Sequence, residues 1–462
     1  MDDGRQKIQL KLALEHGSEG EALRPEPQGT EASMAERVSE SLAEGEQLME
    51  RTCERGNLKR ALARVKRNKG SAGVDGMSVN ALPGYLKEHW PRIRERLLAG
   101  RYGPRPVKRV EIDKREGGGK RKLGIPCVLD RFIQQALLQV LQPIFEPSFA
   151  ESSYGFRPGR SAHQAVAQAQ TYIARGYHWV VDLDLEKFFD RVNHDFLMGR
   201  VAKRVQDKRV LKLIRSYLEA GVMEHGSVSE TEEGTPQGGP LSPLLSNILL
   251  TDLDRELEHR GHCFVRYADD CNVYVKSARA GQRVKASLTR FLATRLKLKV
   301  NEAKSAVAQP WQRKFLGFSF TGGETLKRRI APQALLRFKQ RVRELSSRTQ
   351  GRALREVVQR LAPYLRGWRG YFGFCETPSV LRDLERWIRR RLRSLVWKQW
   401  KRGRRRFAAL VARGVDRKLA AQTAGSAHGP WQLAVSPALH IALPNTLFVA
   451  LGLPRLYVTP TA

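Results

Sequence analysis

Two pairs of carboxylates stand beside strand-like segments of the sequence, where they could bind a cation. Asp269 and Asp270 are adjacent, and hydrophobic strand-forming residues precede and follow them, so the pair falls where a hairpin would turn. Asp182 and Asp184 belong to a second strand-like run, His-Trp-Val-Val-Asp-Leu-Asp. Carboxylates are costly inside an apolar sheet unless a cation compensates them, and hard divalent cations such as Mg²⁺ prefer oxygen ligands. The spacing therefore predicts a divalent-cation site shared by two strands, with a solvent-facing turn as the alternative.

Two divalent cations about 4 Å apart can serve the transfer of a nucleotidyl group. They activate the attacking 3′-hydroxyl and stabilise the leaving pyrophosphate. Because side chains alternate along a strand, Asp182 and Asp184 lie on the same face. The pattern alone therefore leaves both of them as candidate ligands.

The charge balance indicates a polyanionic partner. The chain of 462 residues contains 82 Lys and Arg against 47 Asp and Glu, a formal net charge of +35. Such a surplus attracts nucleic acid, whereas no transmembrane run or secretory signal supports binding to a membrane. The five cysteines are scattered without CxxC spacing, which argues against disulfides and zinc and predicts a reducing compartment, the cytoplasm.

The carboxylates must be positioned by a mixture of strands and helices. Alternating and β-branched residues predict the strands, and apolar residues at helical spacing predict the helices. The predicted segments are strands at 107–112 and 123–126 around a glycine-rich hairpin tip, strands at 178–184 and 263–275, and helices over 42–68, from Asp130 onward and in the region after about 332. Asp130 is predicted to cap the helix that begins there.

A dense basic segment lies near the C-terminal end of the chain. Residues 382–406 contain twelve Lys or Arg and only Asp383 and Glu385 as acids. This excess is larger than solubility requires, so we expect contact with nucleic acid, with a solvated helix face as the alternative.

Longer sequence blocks surround these residues in a definite order. They are NKGSAGVDGM (68–77), GGKRKLGIP (118–126), SYGFRPGRS (153–161), DLEKFFDRVNHD (184–195), GTPQGGPLSPLLSNILL (234–250), YADD (267–270), KFLGFSF (314–320), YLRGWRGYF (364–372) and GPWQLAVSPALHIALPN (429–445). Together they resemble the reverse transcriptases encoded within group II introns, and the resemblance covers about residues 45–457. It implies a bacterial protein of the type that lacks a nuclease, since no Cys/His cluster follows residue 376.

The resemblance assigns roles at the carboxylates. It implies that Asp184, Asp269 and Asp270 are the catalytic residues and hold two Mg²⁺ ions, with Asp184 preferred to Asp182 because the Phe pair that follows falls at the family's offset. Phe189 matches the residue that stacks under the incoming sugar and excludes a 2′-hydroxyl, with a core position as the alternative.

Further residues match the parts of the family that bind nucleotides and nucleic acids. Lys114 and Arg121 match the residues that hold the triphosphate, and Gln237 matches the residue that contacts the incoming nucleotide. The block at 364–372 and the basic segment are expected to bind RNA or DNA, with a core position as the alternative for the tryptophan. These predicted contacts are Arg366, Trp368, Arg369, Arg404, Arg405 and Arg406.

The implied fold is α+β, a right-hand polymerase with fingers, palm, a helical thumb or maturase domain and a small basic C-terminal DNA-binding domain. The predicted divisions are a mobile acidic tail at 1–45, an N-terminal extension at 46–105, fingers and palm at 106–325, the thumb at 326–395 and the DNA-binding domain at 396–462.

The implied function is that of an RNA-directed DNA polymerase, a nucleotidyltransferase of a mobile element. It would use deoxynucleoside triphosphates, an RNA template with a DNA primer, and target DNA. It would also bind its intron RNA to promote splicing and retrohoming. Two alternatives come from other classes: a related reverse transcriptase that serves host defence or repair, and an RNA-binding splicing factor without polymerase activity.

Overall fold

The computed structural model describes residues 47–113, 120–224, 227–229, 234, 238–323, 325–349 and 351–458. Helices and strands are mixed along these residues, and the strands form two four-stranded sheets and one two-stranded sheet. The predicted acidic tail at 1–45 lies outside the described residues.

The N-terminal part consists of helices α1 (Leu48–Thr52), α2 (Arg55–Asn68) and α3 (Leu82–Leu98). A single helix was predicted over 42–68, but the chain turns at Cys53 and Glu54 and divides the described part of that region into α1 and α2. Both helices pack against α4 (Val128–Phe145). The packing buries the apolar side of α1 and ties the N-terminal part to the rest of the chain.

The first sheet occupies the position predicted for the fingers, and we call it the fingers sheet. Strands β1 (Val107–Asp113) and β2 (Lys120–Ile125) pair antiparallel, which confirms the predicted hairpin. The order is β2-β1-β4-β5, with β4 (Val222–Glu224) parallel to β1 and β5 (Ser227–Ser229) at the edge.

Helix α4 follows the fingers hairpin and begins two residues earlier than predicted. We expected Asp130 to cap this helix. Instead, Asp130 is buried inside the first turn of the helix. The carboxylate of Asp130 accepts hydrogen bonds from the Tyr102 hydroxyl at 2.8 Å and from the main-chain N–H of Arg105 at 3.2 Å. A long-range partner therefore determines the position of this side chain, not local helix capping.

The second sheet, called the palm sheet, carries the carboxylates. Its strands are β3 (Trp179–Leu183), β6 (Cys263–Tyr267), β7 (Asp270–Val275) and β8 (Ala306–Ala308), all antiparallel in the order β6-β7-β3-β8. The connecting helices are α5 (Ala162–Ala174), α6 (His194–Ala202), α7 (Lys208–Leu218), α8 (Ser242–His259) and α9 (Ala278–Arg295).

Alternation along β3 buries both faces of the palm sheet. Val181 faces the large core that includes α4, α8 and α9, whereas Val180 faces a smaller core formed with α5 and Phe318. Since both faces are covered, the carboxylates can reach solvent only where the strands end.

The C-terminal helical region begins after a two-stranded sheet of β9 (Phe318–Phe320) and β10 (Arg328–Ile330). Its helices share one hydrophobic core from Ile330 to Leu456. The predicted division at 395/396 falls inside a continuous helix, so a truncation there would cut through this core. The helices are α10 (Pro332–Leu345), α11 (Leu354–Phe372), α12 (Pro378–Gln399), α13 (Gly403–Val411), α14 (Arg417–Ala424), α15 (Pro430–Leu433), α16 (Pro437–Ala442) and α17 (Asn445–Ala450).

Candidate active site

The register of the palm sheet brings the carboxylates to one end of neighbouring strands. Leu183 of β3 pairs with Cys271 of β7. Asp184 follows Leu183 and Asp270 precedes Cys271, so the same register sets these two aspartates opposite each other. Asp269 lies in the turn between β6 and β7. The predicted hairpin and the predicted strand therefore meet at the three carboxylates.

The electrostatics of Asp270 show how close the acidic groups are. Asp270 is exposed at the start of β7, but the surrounding protein removes much of the water from its side chain, and Asp269, Asp182 and Asp184 add negative charge. Desolvation first, and these carboxylates second, raise the pKa of Asp270 to about 7. A divalent cation would relieve this repulsion, because it stabilises the ionised form of every neighbour.

The acidic cluster is not a closed ligand set. Among the described residues, no three His, Cys, Asp or Glu side chains are arranged so that they could hold a metal ion together. The ammonium of Lys304 lies 3.6 Å from Oδ2 of Asp184 and balances part of its charge. The donor chemistry still fits Mg²⁺, since one or two carboxylates with water and substrate phosphates are its usual ligands.

Asp182, the alternative ligand, has a partner of its own. The guanidinium of Arg313 donates from Nε at 2.9 Å and from Nη2 at 2.6 Å to Oδ2 of Asp182. Arg313 also donates to the main-chain carbonyl of Lys304 at 2.7 Å. Asp182 is therefore held by a pair of hydrogen bonds to Arg313, a closer cationic partner than Asp184 has in Lys304, which supports the choice of Asp184 as the cation ligand.

A buried ion pair supports the hairpin that carries Asp269 and Asp270. Arg266 and Asp254 are both fully buried and form a bidentate pair, with Nε to Oδ1 at 2.6 Å and Nη2 to Oδ2 at 2.5 Å. Nη1 of Arg266 also donates at 2.9 Å to the Asn247 amide oxygen and to the Ala268 carbonyl in the turn. Helix α8 thus holds the turn through Arg266.

The loop at 152–157 packs against the same turn. Gly155 lies so close that a Cβ there would collide with the main-chain nitrogen of Ala268. The amide of Asn247 donates to the Gly155 carbonyl at 2.8 Å and joins the loop to the Arg266 network. Ala268 has a positive φ of 57°, so the turn is held in a conformation that L residues rarely adopt.

The two phenylalanines after Asp184 occupy different environments. Phe188 is buried in the core, whereas Phe189 is only partly buried and meets Phe188 edge to face at 5.2 Å. Gly234 packs against the main chain of Phe189 and Asp190, and its N–H donates to the Val192 carbonyl at 2.8 Å. The exposed part of Phe189 fits the predicted sugar contact better than Phe188 does.

Comparison with known proteins identifies the family. Residues 112–320 match the family described as reverse transcriptase (RNA-dependent DNA polymerase), and residues 335–412 match the group II intron, maturase-specific domain. Protein YkfC of Escherichia coli (strain K12) is 33% identical over 296 residues, which are 56% of this chain and 76% of YkfC. The chain belongs to the group II intron reverse transcriptases, which are RNA-directed DNA polymerases.

This chain covers a smaller share of other relatives. The group II intron-encoded protein LtrA of Lactococcus lactis subsp. cremoris is 30% identical over 316 residues, which are 54% of this chain and 52% of LtrA. The reverse transcriptase thus spans about half of LtrA. A solved telomerase structure from Candida tropicalis has a TM-score of 0.43 and 12% identity, covering 64% of this chain and 58% of that one.

The structure places the predicted nucleotide-binding residues only in part. Lys114 and Gln237 lie outside the described residues, and for Arg121 the structure describes only the main chain, which pairs with Ile112 in the fingers hairpin. Just beyond Gln237, a Cβ at Gly238 would collide with the Gly124 carbonyl of β2. In this reverse transcriptase, Gly238 is therefore packed against the fingers sheet.

Helix α11 separates the three predicted RNA contacts of the block at 364–372. Arg366 and Arg369 are exposed, but Trp368 is 8% exposed and packs on Phe338 and Phe372 at ring distances of 4.2 and 4.8 Å. The position of Trp368 disagrees with a contact to nucleic acid. It agrees with the alternative, a core residue, because the helix turns this side inward.

The three arginines predicted to bind nucleic acid at 404–406 also differ from one another. Arg404 and Arg405 are exposed on α13. The guanidinium of Arg406 packs over the ring of the buried Trp397 at 4.7 Å. Its neighbours are thus better placed for a phosphate contact than Arg406 itself.

Several supporting residues were not singled out from the sequence. Arg313, Lys304 and Asp254 carry no local pattern that marks them, because their partners lie far along the chain. Arg266 belongs to the Phe-Val-Arg run before the hairpin, which was the one available signal. None of the described helices has the length and apolar character needed to cross a membrane.

Proposed function

We propose that this reverse transcriptase copies RNA into DNA with Asp184, Asp269 and Asp270 as ligands of two Mg²⁺ ions. The observation that carries the proposal is the register of β3 and β7, which sets Asp184 opposite Asp270, beside an Asp182 that is paired with Arg313. When bound, the ions supply activation of the primer 3′-hydroxyl and stabilisation of the leaving pyrophosphate.

The residues of the chain position these groups. Arg313 keeps Asp182 engaged and holds the Lys304 carbonyl, so Asp184 is the more accessible of the two carboxylates for a cation, which would displace the Lys304 ammonium from it. Arg266 fixes the turn that carries Asp269 and Asp270. Phe189 lies under the incoming sugar, where its ring excludes a 2′-hydroxyl. Such preorganisation lowers the barrier, because the charges need no rearrangement during the reaction.

The test is primer extension on an RNA template with deoxynucleoside triphosphates and Mg²⁺. The wild-type protein should extend the primer, and Asp270→Asn should not, although it preserves the shape of the side chain. Extension by Asp270→Asn at the wild-type rate would contradict the proposal.

We further propose that the protein binds its intron RNA and promotes splicing and retrohoming by target-primed reverse transcription. The match of residues 335–412 to the maturase-specific domain supports this role, and the exposed Arg366 and Arg369 supply positive charge on α11. Folded RNA is bound mainly through its shape, its phosphates and its 2′-hydroxyls. The RNA itself carries the splicing chemistry, and the protein stabilises its fold.

The C-terminal helices are proposed to bind target DNA, and the exposed Arg404 and Arg405 are the candidate phosphate contacts. The splicing role is tested with Arg366→Gln and Arg369→Gln together, which spare the core Trp368. This double variant should lose assisted splicing at low Mg²⁺ while it keeps the wild-type melting temperature. Unchanged splicing would remove the two arginines from the RNA contact.

A further inference from the structure

Phe156 combines an exposed ring with an unfavourable main-chain conformation. The residue is 52% exposed and has a φ of 59°. A single exposed aromatic residue is common and needs no explanation. A bulky residue with a positive φ is rare, and such strain persists only where the surrounding structure enforces it.

Both neighbours of Phe156 are fixed, and together they force its ring outward. Gly155 is pressed against the turn at Ala268. Arg157 is buried, and its guanidinium donates to Glu146 at 2.8 Å and to the carbonyls of Ala150 and Ser153 at 2.5 and 2.7 Å. The chain therefore cannot rotate at Phe156 without breaking contacts on either side.

The loop is also attached to the edge of the palm sheet. The main-chain N–H of Tyr154 donates to the Arg266 carbonyl at 2.8 Å, and that of Arg266 donates to the Ser152 carbonyl at 2.9 Å. These bonds hold Phe156 beside the catalytic hairpin, where its ring centroid is 6.2 Å from that of Tyr267. Tyr267 in turn pairs with Asp270 across the hairpin.

We propose that Phe156 is a substrate-contacting residue whose ring stacks on the base of the primer-terminal nucleotide. An exposed aromatic ring is a stacking platform for any base, whatever its sequence. The primer end is the partner favoured by position, since its 3′-hydroxyl must reach the carboxylates that the hairpin presents. Phe156 and Tyr267 would form one side of the site that aligns this hydroxyl. This inference rests on the proposed polymerase function.

A stacking role for the Phe156 ring can be distinguished from a structural role in which the ring only supports Tyr267. If the ring only supported Tyr267, its removal would disturb the hairpin whatever base the primer carried. If the ring stacks on the terminal base, its removal should matter only while that base is present. A primer with an abasic 3′-terminal nucleotide therefore distinguishes the two roles.

The experiment compares wild type, Phe156→Ala and Phe156→Tyr on a primer with an intact terminal base and on one with an abasic terminus. On the intact primer, Phe156→Ala should raise the KM for primer–template roughly 5- to 100-fold, the range expected for one stacked base, and Phe156→Tyr should restore it. On the abasic primer, Phe156→Ala and wild type should be equal.

Three outcomes would overturn the inference. The first is an equal rise in KM for Phe156→Ala on both primers. The second is a rise in KM that disappears when the abasic position is in the template and not in the primer. The third is a wild-type KM for Phe156→Ala on the intact primer. If the wild-type protein extends neither primer, the proposed polymerase function fails and not the role of Phe156 alone.

A glycine variant tests whether the positive φ at Phe156 is strained and is kept because the ring is needed for primer binding. Phe156→Gly should melt no lower than Phe156→Ala, because glycine accepts a positive φ, and it should show the same raised KM. Lys297→Gly is the matched control: Lys297 has a φ of 56° and lines a different depression, with Arg200 and Asp252. It should leave extension unchanged. A melting temperature of Phe156→Gly clearly below that of Phe156→Ala would show that the main chain at position 156 is not strained. It would contradict the idea that the protein keeps an unfavourable conformation there for function.

Discussion

The palm and the C-terminal helical region differ in what several of their arginines contact. In the palm, Arg266 and Arg157 are buried and paired with the carboxylates of Asp254 and Glu146. In the C-terminal region Arg393 is also buried, but other arginines lie over tryptophan rings, as Arg390 does over Trp431 at 4.2 Å. Residues 382–406 include only two acids to balance twelve basic residues.

This difference has a functional consequence. A buried bidentate pair tolerates little movement, because either partner alone would be an uncompensated charge in the protein interior. It suits a hairpin that must hold carboxylates in one geometry. An exposed guanidinium with few acids nearby, such as that of Arg404 or Arg405, keeps its positive charge available to a phosphate. The palm therefore uses Arg266 and Arg157 for internal order, and we propose that the exposed arginines of the C-terminal region serve a polyanionic partner.

The largest effect is expected at the acidic cluster of the palm. Asp184→Ala, Asp269→Ala and Asp270→Ala should each lower the rate of primer extension about 10³-fold, since a metal ion contributes several kcal/mol to transition-state stabilisation. Asp182→Ala, the matched control from the same strand, should be far milder. A variant without Asp184 that extended primers normally would contradict the assignment.

Breaking the buried pair should cost stability as well as activity. Asp254→Ala should lower the free energy of unfolding by about 3–5 kcal/mol, because it leaves Arg266 buried without its partner. The matched control is Asp383→Ala, whose pair with Arg386 at 3.2 Å lies on the surface and is worth roughly 0–1 kcal/mol. Denaturant titration measures both, and similar values for the two variants would refute the contrast.

Sugar selection should change by a smaller amount. Phe189→Val should admit ribonucleotides more readily, with a loss of discrimination of about 1–3 kcal/mol by analogy with the selectivity of apolar pockets. The measurement is the ratio of deoxyribonucleotide to ribonucleotide incorporation. An unchanged ratio would make Phe189 a core residue only.

The smallest effect is expected for single phosphate contacts in the C-terminal region. Arg404→Gln with Arg405→Gln should reduce the slope of log K against log salt for duplex DNA by about 0.9 per arginine. Arg406→Gln should instead lower the melting temperature, because Arg406 packs over Trp397. A full wild-type slope for the double variant would mean that the two exposed arginines are only solvated.

The sequence predicted the elements whose signals are local. The hairpin at 107–126 and the strands that carry Asp184 and Asp270 follow from alternating hydrophobic residues and glycine-rich turns. The choice between Asp182 and Asp184 depended on the family's offset and stays a prediction; the structure adds that Asp182 has an ion-pair partner 131 residues away in sequence. A contact between residues so far apart in sequence produces no pattern in the residues next to either partner.

Other predictions failed or remained open for the same reason. Asp130 was expected to cap a helix because Asp often does so, but buried hydrogen bonds to Tyr102 and Arg105 position it instead. Trp368 lies in a block rich in glycine and arginine, and only the packing on Phe338 reveals it as a core residue. The sequence around a residue therefore indicates that the residue could have a role, but its contacts in the folded protein determine what that role is.

We propose that the palm performs polymerisation and that the basic surfaces bind intron RNA, each independently of the other. The decisive measurement is splicing of the cognate intron at low Mg²⁺ with the variant Asp269→Ala plus Asp270→Ala, correctly folded and at the concentration of the wild type. The account predicts that this protein synthesises no DNA and yet supports splicing near the wild-type level, because phosphate and shape recognition do not require the carboxylates. Splicing lost in parallel with polymerase activity would contradict it.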